Sequence, residues 1–409
     1  MANNGKYNGR AFWTYIGHMN ETTVPDTGLP FRVKLLTGGF GALRGSACPG
    51  IELLTVQVAG DDEPDVILSK GLLLADAPSP TWMERDGDLL YAVLEDTDEI
   101  AAYRIEHDDN GMRLAELSKV GVQGESPTHA VACTDDLGAK HLIVANYADG
   151  HVCVHPIAAD GAVSGSAQVL TGEGRGPLPA QECPHAHWIL PLPDGRVLST
   201  DLGADCVYVH HWSSGRLVRD GAVHLAPGTG PRDMHLLPVS SDAAHGWRVA
   251  VVGEWGGTVT LLGSSGHVDD GSCGIAVLQT VALGADPLDQ AASLAFVPQT
   301  VLRNDAASTA GNPAAGFVYV GLRGSERIVS LAWDGETLQR LAPVDEPGWK
   351  GRGIDCGGRR PRHIMPVGRL LLAANETSDN VAAFLLADDG KPREAADLPS
   401  GSPTVFVRL

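Results

Sequence analysis

Residues Ser126–Tyr147 read SPTHAVACTDDLGAKHLIVANY. A Ser-Pro pair opens the stretch, an alternating segment follows, DDLG supplies a turn, and the apolar run LIVA closes it. That is the pattern of two short strands joined by a tight connection. The same order of events recurs along the chain. SPTWMERDGDLLYAVLED starts at Ser79, CPHAHWILPLPDGRVLSTDLG at Cys183, and GPRDMHLLPV, followed by WRVAVVGEW, at Gly230. AASLAFVPQT, followed by FVYVGLRG, starts at Ala291 and lacks the leading Pro; RPRHIMPVGRLLLAANE starts at Arg360, and SPTVFVRL runs from Ser402 to the last residue.

Each copy continues into two further strands. GHVCVHPI and SAQVLTG follow LIVANY, CVYVHHW and AVHLA follow DLGAD, RIVSLAW and TLQRLAP follow GLRG, and NVAAFLL and PREAADLP follow ANETSD. Four strands per unit, repeated at intervals of about 42 to 70 residues, are the signature of a propeller. The GH…WD pair of WD40 repeats is absent. The last copy stops after one strand, so the start of the chain is expected to supply the other three: AFWTYIGHM, IELLTVQVA and DVILSKGLLL. The expectation is an all-β, seven-bladed β-propeller with four antiparallel strands per blade, one domain over residues 1–409. Its closing blade combines residues 402–409 with 11–75, and the other six start near 79, 126, 183, 230, 291 and 360. Closure in this manner leaves few exposed sheet edges. No helical periodicity stands out, so helix content is expected to be very low. Residues 20–48, 301–316 and 344–360, rich in Gly and small or polar residues, read as loops; the last is placed to wall or cover a site.

Composition excludes several classes. A net charge of −20 and a pI near 5.0 argue against nucleic acid and anionic membranes as partners, and mean that an anionic substrate needs a local group of Arg. The seven cysteines, Cys48, Cys133, Cys153, Cys183, Cys206, Cys273 and Cys356, are scattered with no CxxC pair, which suits free thiols in a reducing compartment. No apolar run is long enough for a signal peptide core or a membrane span. A cytoplasmic location is therefore expected. Neither a dinucleotide-binding glycine loop nor a GxSxG elbow occurs.

The segments QECPHAHWILPLPDGRVLSTDLGAD, GTGPRDMHLLP, VVGEW, YVGLRGSERI and NYADGHVCVHPIAADG resemble the propeller lactonase family, which includes 6-phosphogluconolactonases and the fungal carboxymuconate-cyclising enzymes. The resemblance runs from about residue 79 to the end, and Gln181–Asp205 is its most specific part. It implies a polar cleft at one end of the axial channel, furnished with one His, two Arg and one Glu. The family's PHxH maps onto His185 and His187, its GPR onto Arg232, its Asn-Glu onto Gly253-Glu254, and its Asn-Arg-Gly onto Leu322-Arg323-Gly324. The chain departs from the pattern at Asp233, where the family has His, with His235 two residues on, and at Gly253 and Leu322, which replace Asn. These departures bear on the substrate more than on the fold.

Residues at equivalent anchors of a propeller converge on one mouth of the channel although remote in sequence. Lactone hydrolysis needs a base for the attacking water, positive charge for the developing oxyanion, and a proton for the leaving alkoxide. His185 or His187 is the candidate base, Arg232 and Arg323 the candidate anion and oxyanion binders, and Glu254 the orienting carboxylate. His129, Gln181, His235 and Arg362 are candidate substrate contacts. Each has a structural alternative: a His beside Pro can bond a backbone carbonyl, Arg232 can pair with Asp233 or Asp201, Arg323 with Glu326, and Glu254 can be a solvated strand end. The HAH spacing also admits a metal, since alternate strand residues share a face. No carboxylate cluster accompanies it, so neither a metal nor another cofactor is expected. The expected partner is a small anionic lactone or sugar phosphate; the alternatives are an enzyme interconverting an acidic lactone and its open diacid, or a non-catalytic protein-binding propeller.

Overall fold

The computed structural model describes residues 30–60, 64–108, 111–240, 246–264, 273–286, 289–303, 312–341 and 353–409. Among them are seven antiparallel sheets of four main strands each. The sheet containing Ala291–Pro298 has one extra short strand, Ile354–Asp355, paired with Arg327–Trp333. The innermost strands are Pro80–Asp86, Pro127–Thr134, Ala186–Pro191, Pro231–Leu237, Ala291–Pro298, Pro361–Val367 and Pro403–Arg408. Each contacts the next in that order, and the last contacts the first, so the sheets form a closed ring. The α-helical content of the described residues is a single turn, Gln299–Leu302, and no helix among them is long and apolar enough to cross a membrane.

The closing blade differs from the sequence expectation in one strand. Pro403–Arg408 pairs with Phe31–Gly39, followed outward by Ile51–Ala59 and Asp65–Ala75. The sequence reading gave this place to residues 11–19 and took 20–48 as loop; residues 11–19 lie outside the described residues. FRVKLLTGG alternates, with Phe31, Val33 and Leu35 on one face, a strand signal masked by the Gly and Thr around it. Gly38 and Gly39 are needed there. A Cβ on Gly39 would stand 1.9 Å from the Ser402 carbonyl oxygen, and one on Gly38 would stand 2.3 Å from that of Pro80.

The hydrophobic core is seven separate interfaces, one between each pair of neighbouring blades. Second strands are covered on both faces, which is why Leu142–Ala145 and Val249–Val252 are continuous apolar runs rather than alternating ones. Carboxylates join the blades. Asp98, Asp205 and Asp379 accept the backbone N–H groups of Ser126, Gly230 and Ser402, the residues that precede the next inner strand, at 2.7–2.8 Å. All three sit at φ of 51–54°, a left-handed conformation that Asp tolerates better than most residues.

One irregularity positions the site. In every blade the pairing of the first two strands skips a residue just after the inner strand begins: at Pro80/Trp82, Pro127/His129, Ala186/Ile189, Pro231/Met234, Ala291/Leu294 and Pro361/His363, and between Pro403 and Val405 in the closing blade. Such a bulge re-aims side chains that would otherwise alternate. Arg232 and Asp233, His187 and Trp188, Thr81 and Trp82, and Arg362 and His363 are thus consecutive pairs that line one pocket.

Candidate functional site

The pocket lies on the axis, where the seven inner strands meet, and its lining includes Thr81, Glu95, His187, Arg232, Arg362 and His363. Two tiers of side chains come from the inner strands. A further ring of positions is formed by the residues that follow the second strands, Phe40, Glu95, Tyr147, Leu202, Glu254, Arg323 and Glu376, of which Glu95 lines the pocket. Each of these seven donates its backbone N–H to the carbonyl just before its own inner strand, at 2.8–3.2 Å. The blades therefore present seven equivalent positions at this level, and the side chain at each is free to vary.

Glu254 is the hub. Its Oε2 lies 3.1 Å from Arg232 Nε and 2.7 Å from Arg323 Nη2, and its Oε1 accepts a hydrogen bond from Gln290 Nε2 at 3.1 Å. All three charged side chains are 5–7% exposed. Among the described residues Arg323 Nε has no hydrogen-bond acceptor, and Arg232 Nε and Arg323 Nη2 share the single Glu254 carboxylate oxygen. Buried donors are rarely left in that condition, and a bound anion would satisfy them. Arg232 Nη1 is held by the Ala292 carbonyl at 3.0 Å. Burial, reinforced by Arg323, pulls the Arg232 pKa down to about 9, so it remains charged at neutral pH. Burial also lowers that of Arg323. Arg362 pairs with Glu376 at 2.9 Å and packs over Phe40 at 4.7 Å. Burial opposes its charge, but Glu376 and Glu95 outweigh that and raise its pKa.

The two histidines of PHAH part company. His187 is buried and lines the pocket, and its Nδ1 has no partner among the described residues. Burial, and then Arg232 and Arg362, push its pKa well below the ordinary value, so the imidazole is neutral. His185 stands at the rim. Its Nδ1–H donates to the Tyr147 carbonyl at 2.7 Å, and its ring stacks on Tyr147 at 4.5 Å. The two imidazoles have different surroundings, and no group of three His, Cys, Asp or Glu suited to a metal occurs among the described residues.

The remaining sequence candidates fall into three situations. Arg362 is in the pocket wall. His129 and His235 are not among the residues that line the pocket. His129 Nδ1 accepts the Ile189 N–H at 3.2 Å and its ring stacks on Trp188 at 3.8 Å; burial takes its pKa down to about 3. His235 Nε2 is 3.1 Å from Asp233 Oδ1, and Asp233 also accepts the Leu294 N–H at 3.0 Å. Gln181 has its side chain engaged away from the pocket, donating to the Leu202 carbonyl at 2.8 Å and accepting from the Leu178 N–H at 3.2 Å. Of the structural alternatives, Arg232 and Arg323 take the same partner, Glu254. Sequence reasoning missed Tyr147, Glu95 and Glu376. Their signal was their place: each follows its apolar second strand as Glu254 follows VAVVG and Arg323 follows VYVGL.

Comparison with known proteins adds the following. The family described as "Lactonase, 7-bladed beta-propeller" matches residues 47–408. The 6-phosphogluconolactonase of Bacillus subtilis (strain 168) is 32% identical over 176 residues, 42% of this chain and 49% of that protein, so the match spans about half of that relative's length. The structure of a periplasmic gluconolactonase of Pseudomonas aeruginosa superposes with a TM-score of 0.72 at 25% identity, covering 93% of this chain and 99% of the other. A putative 6-phosphogluconolactonase of Bacteroides fragilis shares the fold, with a TM-score of 0.71 at 21% identity over 95% and 99% of the two chains.

Proposed function

Because the chain belongs to the seven-bladed β-propeller lactonases, we propose that it hydrolyses the ring ester of a sugar-acid lactone in the axial pocket, with 6-phospho-D-glucono-1,5-lactone as the substrate. The observation that carries this reading is the convergence of Arg232 and Arg323 on Glu254, with Arg232 lining the same pocket as the neutral His187.

In this mechanism His187 takes a proton from a water molecule as its oxygen attacks the lactone carbonyl. The carbonyl oxygen gains negative charge, which the Arg232 and Arg323 N–H groups stabilise. The tetrahedral intermediate collapses, the bond from the carbonyl carbon to the ring oxygen breaks, and the departing alkoxide takes the proton back from His187. The products are a carboxylic acid and a hydroxyl, with no net change at the enzyme. The same arginines that depress the basicity of His187 in the empty pocket are offset when negative charge develops beside them. Its proton affinity therefore rises during the step that needs it. Glu254 keeps the two guanidinium groups together against their mutual repulsion. Arg360, 37% exposed beside Arg362, offers a cation at the rim for the substrate phosphate.

The B. subtilis relative supports the phosphorylated substrate, and the P. aeruginosa structure favours unphosphorylated gluconolactone as the second reading. The experiment is acid release from both lactones, corrected for spontaneous opening. The wild type should accelerate at least one, and His187→Ala and Arg232→Ala should each remove most of the gain. A wild type that accelerates neither would overturn the reading.

A further inference from the structure

The mouth position held by Glu254 in one blade and Arg323 in the next is held by Tyr147 in the blade of Pro127–Thr134, with the same backbone hydrogen bond, Tyr147 N–H to the Ser126 carbonyl at 2.9 Å. Tyr147 is fixed more firmly than that bond alone provides. Its carbonyl accepts the His185 Nδ1–H at 2.7 Å, and its ring lies at 15° to the His185 ring with centroids 4.5 Å apart. It also meets the pocket histidine, His187, in a T-shaped contact with centroids 6.3 Å apart and an interplanar angle of 89°. The ring is thus in contact with both imidazoles of PHAH, while its hydroxyl has no hydrogen-bond partner among the described residues. Burial, with the Glu254 charge second, raises the phenol pKa, which keeps the group a donor.

We propose that the Tyr147 hydroxyl binds an oxygen of the lactone beside His187, and that His185 is the positioning residue that holds Tyr147 in place. The inference rests on the lactonase reading and extends it. At this level the other six blades offer Phe40, Leu202, the carboxylates of Glu95, Glu254 and Glu376, and the Arg323 cation, so Tyr147 is the one neutral side-chain donor among the seven. A neutral phenol adds a directional donor to a hydroxyl or ester oxygen at no charge cost. The arrangement also gives the two histidines of PHAH separate tasks, proton transfer for His187 and support of Tyr147 for His185.

The test is Tyr147→Phe, which removes one oxygen and keeps the stacking, together with His185→Ala, His185→Asn and the Tyr147→Phe/His185→Ala double variant. Activity is measured on the better of the two lactones, and gluconate and 6-phosphogluconate binding by calorimetry serves as a readout independent of turnover. Tyr147→Phe should lower kcat/KM about ten- to hundredfold and weaken product binding, as expected for the loss of one hydrogen bond to a polar ligand. His185→Ala should cause a loss of similar size that is not additive with Tyr147→Phe, and His185→Asn, which retains an N–H donor, should recover part of it. Fully additive losses, or a His185→Ala enzyme as inactive as His187→Ala, would overturn the positioning role. An active wild type matched within twofold by Tyr147→Phe would overturn the inference and leave the lactonase reading standing. A wild type that neither hydrolyses a lactone nor binds a product would remove both.

Discussion

Acid should unfold this protein from the inside. Burial takes the pKa of His129 and His210 down to about 3 and that of His363 to about 4, against 6.5 for the unperturbed side chain. The unfolded chain takes up these three protons near pH 6.5; the folded chain refuses them until the pH is lower by two to four units. Between those limits the unfolded state binds more protons, so stability is unaffected above about pH 7 and falls as the pH falls. Each such histidine costs up to about 1.4 kcal/mol per pH unit once the pH is well below 6.5, so three approach a slope of about 4 kcal/mol per unit and cost about 5 kcal/mol between pH 6.5 and 5. That is a large share of the 5–15 kcal/mol available to a typical domain. His187 and His155, also lowered by burial, act in the same direction. Asp201, raised by burial, acts against them as a single group. The carboxylates with lowered values contribute only nearer pH 4, so the interval from 5 to 6.5 isolates the imidazoles. Urea denaturation at several pH values in that interval gives the slope, and His363→Gln should reduce it by up to about 1.4 kcal/mol per unit, whatever the substitution costs at pH 7. A flat wild-type profile, or a His363→Gln profile parallel to the wild type, would refute the reasoning.

Three further outcomes follow from the contacts. Glu254→Gln leaves Arg232 and Arg323 buried without a countercharge and should destabilise the fold by about 3–5 kcal/mol in chemical denaturation; a loss under about 1 kcal/mol would mean that the pocket is wetter than its burial indicates. Phe406→Ala empties a fully buried site in the strand that closes the ring and should cost about 3–5 kcal/mol by the same assay. Asp98→Ala removes the acceptor of the Ser126 N–H and forces Ala into a left-handed conformation, at a cost of about 1–3 kcal/mol. Asp98→Asn, which tolerates that conformation and keeps an acceptor, should recover most of it, and equal losses in the two variants would assign the effect to charge instead.

The ring was legible because its unit repeats. A propeller blade needs an inner strand that can start without a ladder partner, which favours Pro, and a second strand covered on both faces, which demands an unbroken apolar run. Five of the seven inner strands begin at Pro, and that recurrence beside the apolar runs is what made the ring legible. The second strand of the closing blade was not legible, because Phe31–Gly39 carries Gly for a steric reason, the approach of the Ser402 and Pro80 carbonyls. Close approach between segments hundreds of residues apart leaves no local mark. The site shows the same division. His187, Arg232, Glu254 and Arg323 could be named from motifs, but their geometry depends on the skipped residue after each inner strand, which turns two consecutive side chains into one pocket. Nothing in PHAH says that the first imidazole is used on a carbonyl and the second is left open. Nothing in LIVANY says that its Tyr occupies the station that Glu254 and Arg323 occupy elsewhere. That equivalence appears only when the seven N–H groups are seen to reach the same carbonyl in each blade. The blade backbone is thus one repeated solution to packing, and the chemistry resides in the side chains that this solution leaves unconstrained: position by position around the mouth, an aromatic, a carboxylate, a phenol or a guanidinium can be exchanged without altering a single ladder bond.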